Sequence, residues 1–137
     1  METLKVDYNL ITGTLPSAWA RMVKLKTLFV RNNQLTGSFP AKWGDSMTRM
    51  QTLRANDNGL TGTLPGEWSG MTEMLYMRVN NNGLTGTLPS EWSSLVKMWL
   101  LSVSGNSLSG VLPEAWENMT QFRNLYLYTN GFSGTNW

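Results

Sequence analysis

A single period runs along this chain, and it decides the fold class before any local propensity is weighed. Trp19, Trp43, Trp68, Trp92 and Trp116 are separated by 24, 25, 24 and 24 residues. Pro16, Pro40, Pro65, Pro89 and Pro113 each stand three residues before one of them. Gly13, Gly37, Gly62, Gly86, Gly110 and Gly134 keep the same step, as do Asn9, Asn33, Asn58, Asn82, Asn106 and Asn130. All five prolines of the chain are thus repeat punctuation. The one extra residue falls in Gly44-Asp45-Ser46. Because the next repeat is undisturbed, it reads as a connecting loop.

The apolar columns give each repeat its local structure. Leu4, Leu28, Leu53, Met77, Leu101 and Leu125 form one column, and Val6, Val30, Ala55, Val79, Val103 and Leu127 form another two residues on. Spacing of two over a short stretch predicts a strand with one buried face, ending at the Asn column. Ile11, Leu35, Leu60, Leu84, Leu108 and Phe132 follow, then Leu15, Phe39, Leu64, Leu88 and Leu112. After the proline, Trp is followed three residues later by Met22, Met71, Leu95 or Met119, and four later by Met47 in the repeat with the extra residue. That spacing is helical or 3₁₀, and proline suits the start of such a turn. The Trp column and the Met residues other than Met1 read as core.

Composition narrows the chemistry. The 137 residues contain no His and no Cys, so a Ser-His-Asp triad, a Cys nucleophile, a zinc or iron–sulfur site and a His- or Cys-held haem are excluded. A net charge of +2 gives no bulk argument for nucleic acid. No cofactor, no metal and no membrane insertion is expected.

The consensus L-x-x-L-x-L-x-x-N-x-L-x-G-x-L-P-x-x-W-x-x-M resembles the leucine-rich repeat, in its 24-residue plant-type class, over essentially the whole chain. The resemblance implies an α/β solenoid, with a parallel β-sheet on the concave face and short 3₁₀ or irregular segments on the convex side. It also implies an asparagine ladder that satisfies the backbone of each turn. Residues 1–137 then form a single domain of about six repeats without visible caps. The segments GTLPSAW, GTLPGEWSGM, GTLPSEWSSL and GVLPEAWENM put Trp where most plant-type repeats have Leu. In this they resemble the surface antigens and related proteophosphoglycans of kinetoplastid parasites. That likeness implies a cell-surface or secreted protein contacting a host receptor or matrix component. The Cys-rich flanks of those proteins, a signal segment and a hydrophobic tail are missing here.

The outward strand positions are where recognition would sit. Between the buried strand residues lie Lys5, Phe29, Arg54, Arg78, Ser102 and Tyr126. The next outward column is Asp7, Arg31, Asn56, Asn80, Ser104 and Tyr128, and beside it run Tyr8, Asn32, Asp57, Asn81, Gly105 and Thr129. The column before contains Tyr76 and Leu100. Arg and aromatic residues are the types enriched at interface hot spots. Lys5, Asp7, Phe29, Arg31, Arg54, Asn56, Asp57, Tyr76, Arg78, Asn80, Tyr126 and Tyr128 are therefore the candidate binding residues for a protein or glycan. The alternative for each is a solvated sheet face, with Asp7 and Asp57 balancing charge.

Other features carry less. Glu67 and Glu91 share a repeat position, but acids there suit the local dipole at a helix start. Trp99 and Trp137 fall outside the Trp column, Trp99 reading either as an exposed apolar spot or as a loop anchor. Asn118-Met119-Thr120 is a glycosylation sequon on the connecting side. The chain starts in strand register and stops at GTNW, so it reads as a piece of a longer array or as a short protein whose uncapped ends self-associate. Three functions follow: a recognition module, a structural spacer and an enzyme. No nucleophile–base pairing, phosphate loop or metal cluster supports the last.

Overall fold

The computed structural model describes residues 1–134, so Trp137 lies outside the described residues. The predicted strands form one six-stranded parallel sheet in sequence order: Thr3–Lys5, Thr27–Phe29, Thr52–Arg54, Tyr76–Arg78, Leu100–Ser102 and Asn124–Tyr126. Each strand with the coil that follows is a rung, numbered 1 to 6 along the chain. Register follows the repeat, with Leu28 opposite Leu4 and Leu53, and Leu101 opposite Met77 and Leu125. The coils are parallel because every strand is reached by the same circuit of chain.

The core sits between this sheet and the opposite side of the coil. Leu28, Leu53, Met77 and Leu101 are buried from the strand side, and Trp43, Trp68 and Trp92 are fully buried from the other. Trp43 and Trp68 stack with centroids 5.9 Å apart and planes 4° from parallel. Trp92 and Trp116 stack at 6.4 Å and 5°. Each indole Nε1 donates to a proline carbonyl one rung back: Trp43 to Pro16 at 3.0 Å, Trp68 to Pro40 at 3.0 Å, Trp92 to Pro65 at 2.8 Å and Trp116 to Pro89 at 2.9 Å. The same carbonyls accept the backbone N–H three residues ahead, Pro40 from Trp43 at 3.2 Å for example. One carbonyl therefore uses both lone pairs, closing its own turn and holding the next rung.

The asparagine column is bonded in a regular way. Asn82 Nδ2 donates to the carbonyls of Ala55, Val79 and Asn80, and its Oδ1 accepts the N–H of Leu60. Asn33, Asn58 and Asn106 repeat this arrangement in their own turns. Buried turn groups that the sheet leaves without partners are satisfied in this way.

The convex side differs from the sequence expectation in two respects. Four 3₁₀ turns appear as predicted, at Ser17–Arg21, Gly66–Gly70, Ser90–Ser94 and Glu114–Asn118. In rung 2, however, Trp43–Ser46 is an α-helical turn, closed by the N–H of Met47 on the carbonyl of Trp43, four residues back. The other coils close three residues back, as in Met71 to Trp68. The extra residue is therefore not a loop, as its spacing suggested; one helical turn absorbs it. A second set of parallel pairs also runs beside the main sheet, which periodicity did not reveal. Thr12–Thr14 pairs with Gln34–Thr36, and Thr61–Thr63, Gly83–Gly86, Ser107–Gly110 and Gly131–Phe132 form a second run. No helix among the described residues is long and apolar enough to cross a membrane.

Candidate functional site

The outward columns lie on the exposed side of the main sheet because the alternate residues of each strand are drawn into the core. Thr52–Arg54 buries Leu53 and leaves Thr52 and Arg54 half-buried; Tyr76–Arg78 buries Met77 and leaves Tyr76 and Arg78 outside. The register sets Phe29 opposite Lys5 and Arg54, and sets Arg78 opposite Arg54 and Ser102. The candidates Lys5, Phe29, Arg54, Arg78 and Tyr126 are thereby brought into one row.

The cations of this face are not equivalent. Arg31 is committed: its Nε donates to Asp7 Oδ2 at 3.0 Å, and its backbone N–H donates to Asp7 Oδ1 at 3.1 Å. Its guanidinium also lies 5.1 Å from the ring centre of Tyr8, which was not among the candidates. Tyr8 follows Asp7 directly, and that adjacency is the signal that could have found it. Phe29 has Lys5 Nζ 4.9 Å from its ring centre and the Arg54 guanidinium 4.4 Å away. Such cation–π contacts contribute about 0.5–2 kcal/mol each, depending on desolvation. Burial, and after it the charges of Arg31 and Arg78, hold the Arg54 guanidinium below its ordinary pKa.

Asp57 is held from two sides, by Asn56 Nδ2 at 2.6 Å and Asn81 Nδ2 at 2.8 Å. Asn56 itself is 8% exposed and offers little surface. Asn80 is half-buried beside it. Farther along, Ser102 and Ser104 are buried, with their hydroxyls 3.5 Å apart. Tyr126 and Tyr128 are exposed beyond them. Trp99 is 43% exposed and tilts against Tyr76, which is 39% exposed, at 5.7 Å. Of the two readings of Trp99, the exposed apolar spot is the one observed.

The remaining features lie elsewhere. Glu67 and Glu91 are exposed on the convex side, and Glu91 rests against Gly66. Asn118 is exposed in its 3₁₀ turn and donates to the carbonyl of Ala115 at 3.3 Å. Among the described residues, no three acidic side chains gather as metal ligands would. Apolar hollows of about 320 and 310 Å³ lie at the first and last rungs, the former lined by Leu4, Leu15 and Trp19 and the latter by Trp116, Phe122 and Leu125.

A profile of the family described as Leucine Rich Repeat matches residues 24–45 and 97–119. No curated protein matches the chain. Solved structures do. The LRR ectodomain of the plant membrane receptor kinase GASSHO1/SCHENGEN3 from Arabidopsis thaliana, in complex with CASPARIAN STRIP INTEGRITY FACTOR 2, is 26% identical with a TM-score of 0.93. That match covers 96% of this chain and 16% of the receptor chain. The Arabidopsis receptor kinase HAESA, in complex with the peptide hormone IDA and the co-receptor SERK1, is 28% identical with a TM-score of 0.93, over 97% of this chain and 22% of that one. The BIR3–SERK2 complex from Arabidopsis thaliana gives 26% identity and a TM-score of 0.86, over 97% of this chain and 70% of its counterpart. The chain thus spans under a quarter of the length of the first two structures. Strand order, register and these superpositions agree: the chain has the leucine-rich-repeat fold.

Proposed function

We propose that this chain is a non-enzymatic recognition module whose strand face binds a protein partner. One observation carries the reading: the core columns stay apolar from rung to rung, while the outward columns change from charged to small to aromatic. A spacer would present the same outward residues on every coil. The similar structures support a protein or peptide partner, since one is a receptor kinase solved with a peptide hormone and a co-receptor and another an ectodomain solved with a named factor.

Finer versions rest on narrower grounds. The ectodomain likeness supports a cell-surface or secreted location. The tryptophan at the plant-type leucine position supports the kinetoplastid surface-antigen version, with a host receptor or matrix component as partner. Exposure of Asn118 supports glycosylation on the side away from the strand face. Residues 1–137 are read as one repeat domain, and the apolar hollows at its outer rungs support contact there with a further repeat or a second copy.

The test is selection of a displayed peptide library on the immobilised chain. Binders are then mapped with strand-face variants (Phe29→Ser, Tyr76→Ser, Tyr126→Ser) and convex variants (Lys42→Ser, Arg49→Ser, Glu67→Ser). Loss confined to the strand-face set is expected. Loss confined to the convex set would sink the reading.

A further inference from the structure

Four cations and two carboxylates occupy the outward columns, and the carboxylates are already engaged. Asp7 is taken by Arg31, and Asp57 by Asn56 and Asn81. Arg54 and Arg78 stand opposite each other in register on neighbouring strands, about 4.8 Å apart along the sheet. None of the ion pairs among the described residues involves either. Phe29 fixes the Arg54 guanidinium from one side. Arg54 Nε is shut off from solvent without a hydrogen-bond partner. Two like charges are thus held close together, one of them partly desolvated; among the described residues neither forms an ion pair, and Asp7, the carboxylate that acts on Arg54, is already bonded to Arg31. An anion between them would relieve both the repulsion and the desolvation.

A second element lies at a fixed spacing. Tyr76 is two residues before Arg78 on the same strand and the same face, and its ring packs against Trp99. Two strand residues span about 6.6 Å. An extended polypeptide has that same spacing between side chains on one side. Resting on the strand-face reading, we infer that this face takes an extended acidic polypeptide segment. An Asp or Glu carboxylate sits between Arg54 and Arg78, and an apolar side chain two residues away sits on Tyr76 and Trp99. A sulfated polysaccharide repeats its anions but brings no large apolar group to the aromatic pair. A nucleic acid brings a run of charges, whereas Arg54 and Arg78 offer one adjacent pair and Lys5 stands apart over Phe29. Arg31, although in the same basic cluster, is a positioning residue for Asp7 and not part of the seat.

The test uses chain 1–137 and fluorescein-labelled nonapeptides, acetylated and amidated so that they have no terminal charge. Their cores are Asp-Ser-Leu, Asn-Ser-Leu, Asp-Ser-Ser and Asp-Leu-Ser, read by fluorescence anisotropy. Asp-Ser-Leu is expected to bind best. Losing its carboxylate, or combining Arg54→Gln with Arg78→Gln, should each weaken binding about 10- to 100-fold. Losing or displacing the Leu should weaken it several-fold, and Arg31→Gln less than threefold. Circular dichroism checks each variant's fold. If Arg54→Gln disturbs the sheet, Arg78→Gln alone and the peptide series carry the test.

Equal binding of Asp and Asn peptides, or no binding by any of them at millimolar concentration, overturns the seat. So does an Arg31→Gln loss as large as that of the pair, or capture of heparin in place of peptide through Arg54 and Arg78. If acid preference is absent but library binders still require Phe29 and Tyr126, the seat fails and the strand-face reading stands. If they ignore both residues, both fail.

Discussion

Removing the indole N–H of Trp68 measures how strongly one rung holds the next. Trp68 is fully buried, stacks on Trp43, takes the edge of Phe39 at 4.9 Å and donates to Pro40. The Pro40 carbonyl keeps its bond from the Trp43 N–H, so loss of the indole donor leaves one lone pair unfilled and not a wholly orphaned acceptor. The hydrogen bond should then contribute about 1 kcal/mol. Replacing Trp68 with benzothienylalanine, of nearly the same shape but without N–H, isolates that contribution. Trp68→Phe adds the small cavity left by the missing ring and should cost about 2–3 kcal/mol in total. Urea unfolding followed by far-UV circular dichroism reads both, and for a slope of about 2 kcal/mol/M the Phe variant should lower the midpoint by about 1 M or slightly more. Trp19 is the internal control. It is only half-buried, and no acceptor for its Nε1 is found among the described residues, so benzothienylalanine there should cost almost nothing. A neutral result at position 68, or equal losses at 19 and 68, would refute the claim that the proline carbonyls couple the rungs.

Three further outcomes are expected. Asn82→Ala should cost about 3 kcal/mol in the same unfolding assay, because one amide's loss leaves several turn groups unsatisfied; a cost under 1 kcal/mol would show that water replaces it. Gly44→Ala should destabilise far more than Gly13→Ala. A Cβ at Gly44 would run into the backbone of Glu67, whereas at Gly13 it meets nothing and costs only the strain of a positive φ, about 1 kcal/mol. Binding of the Asp-Ser-Leu peptide should be flat from pH 6 to 9, where arginine stays charged, and fall as pH drops through the peptide's carboxylate pKa near 4. A loss between pH 7 and 9 would place the titrating group elsewhere.

The core was legible because each coil asks the same question of the same column. Leu28, Leu53, Met77 and Leu101 answer alike, and repetition replaces local propensity as the signal. The second run of strands left a fainter trace, a single buried apolar column through Leu84 and Leu108 with no alternation to mark a strand. Thr61-Gly62-Thr63 buries no apolar face, and its pairing follows from neighbouring coils lying in register. Ser102 and Ser104 were read as outward, yet both are buried; Ser102 stands in register between the larger Arg78 and Tyr126, a neighbour effect that a column read one position at a time does not weigh. The basic cluster was legible as three arginines. Its division into one committed and two uncommitted cations needed the side-chain geometry, although Asp7 and Arg31 stand next to each other in one column.

The helical turn at Trp43–Ser46 separates two kinds of change that other folds confound. An added residue on the convex side alters the hand-over from one coil to the next, yet Leu28 still meets Leu53 and Phe29 still meets Arg54 across the sheet. Length is thus free to vary on one side of the molecule while the opposite side keeps its pattern of side chains. A fluorophore or an epitope inserted at the exposed Asp45 should report on the chain without rewriting the surface it presents.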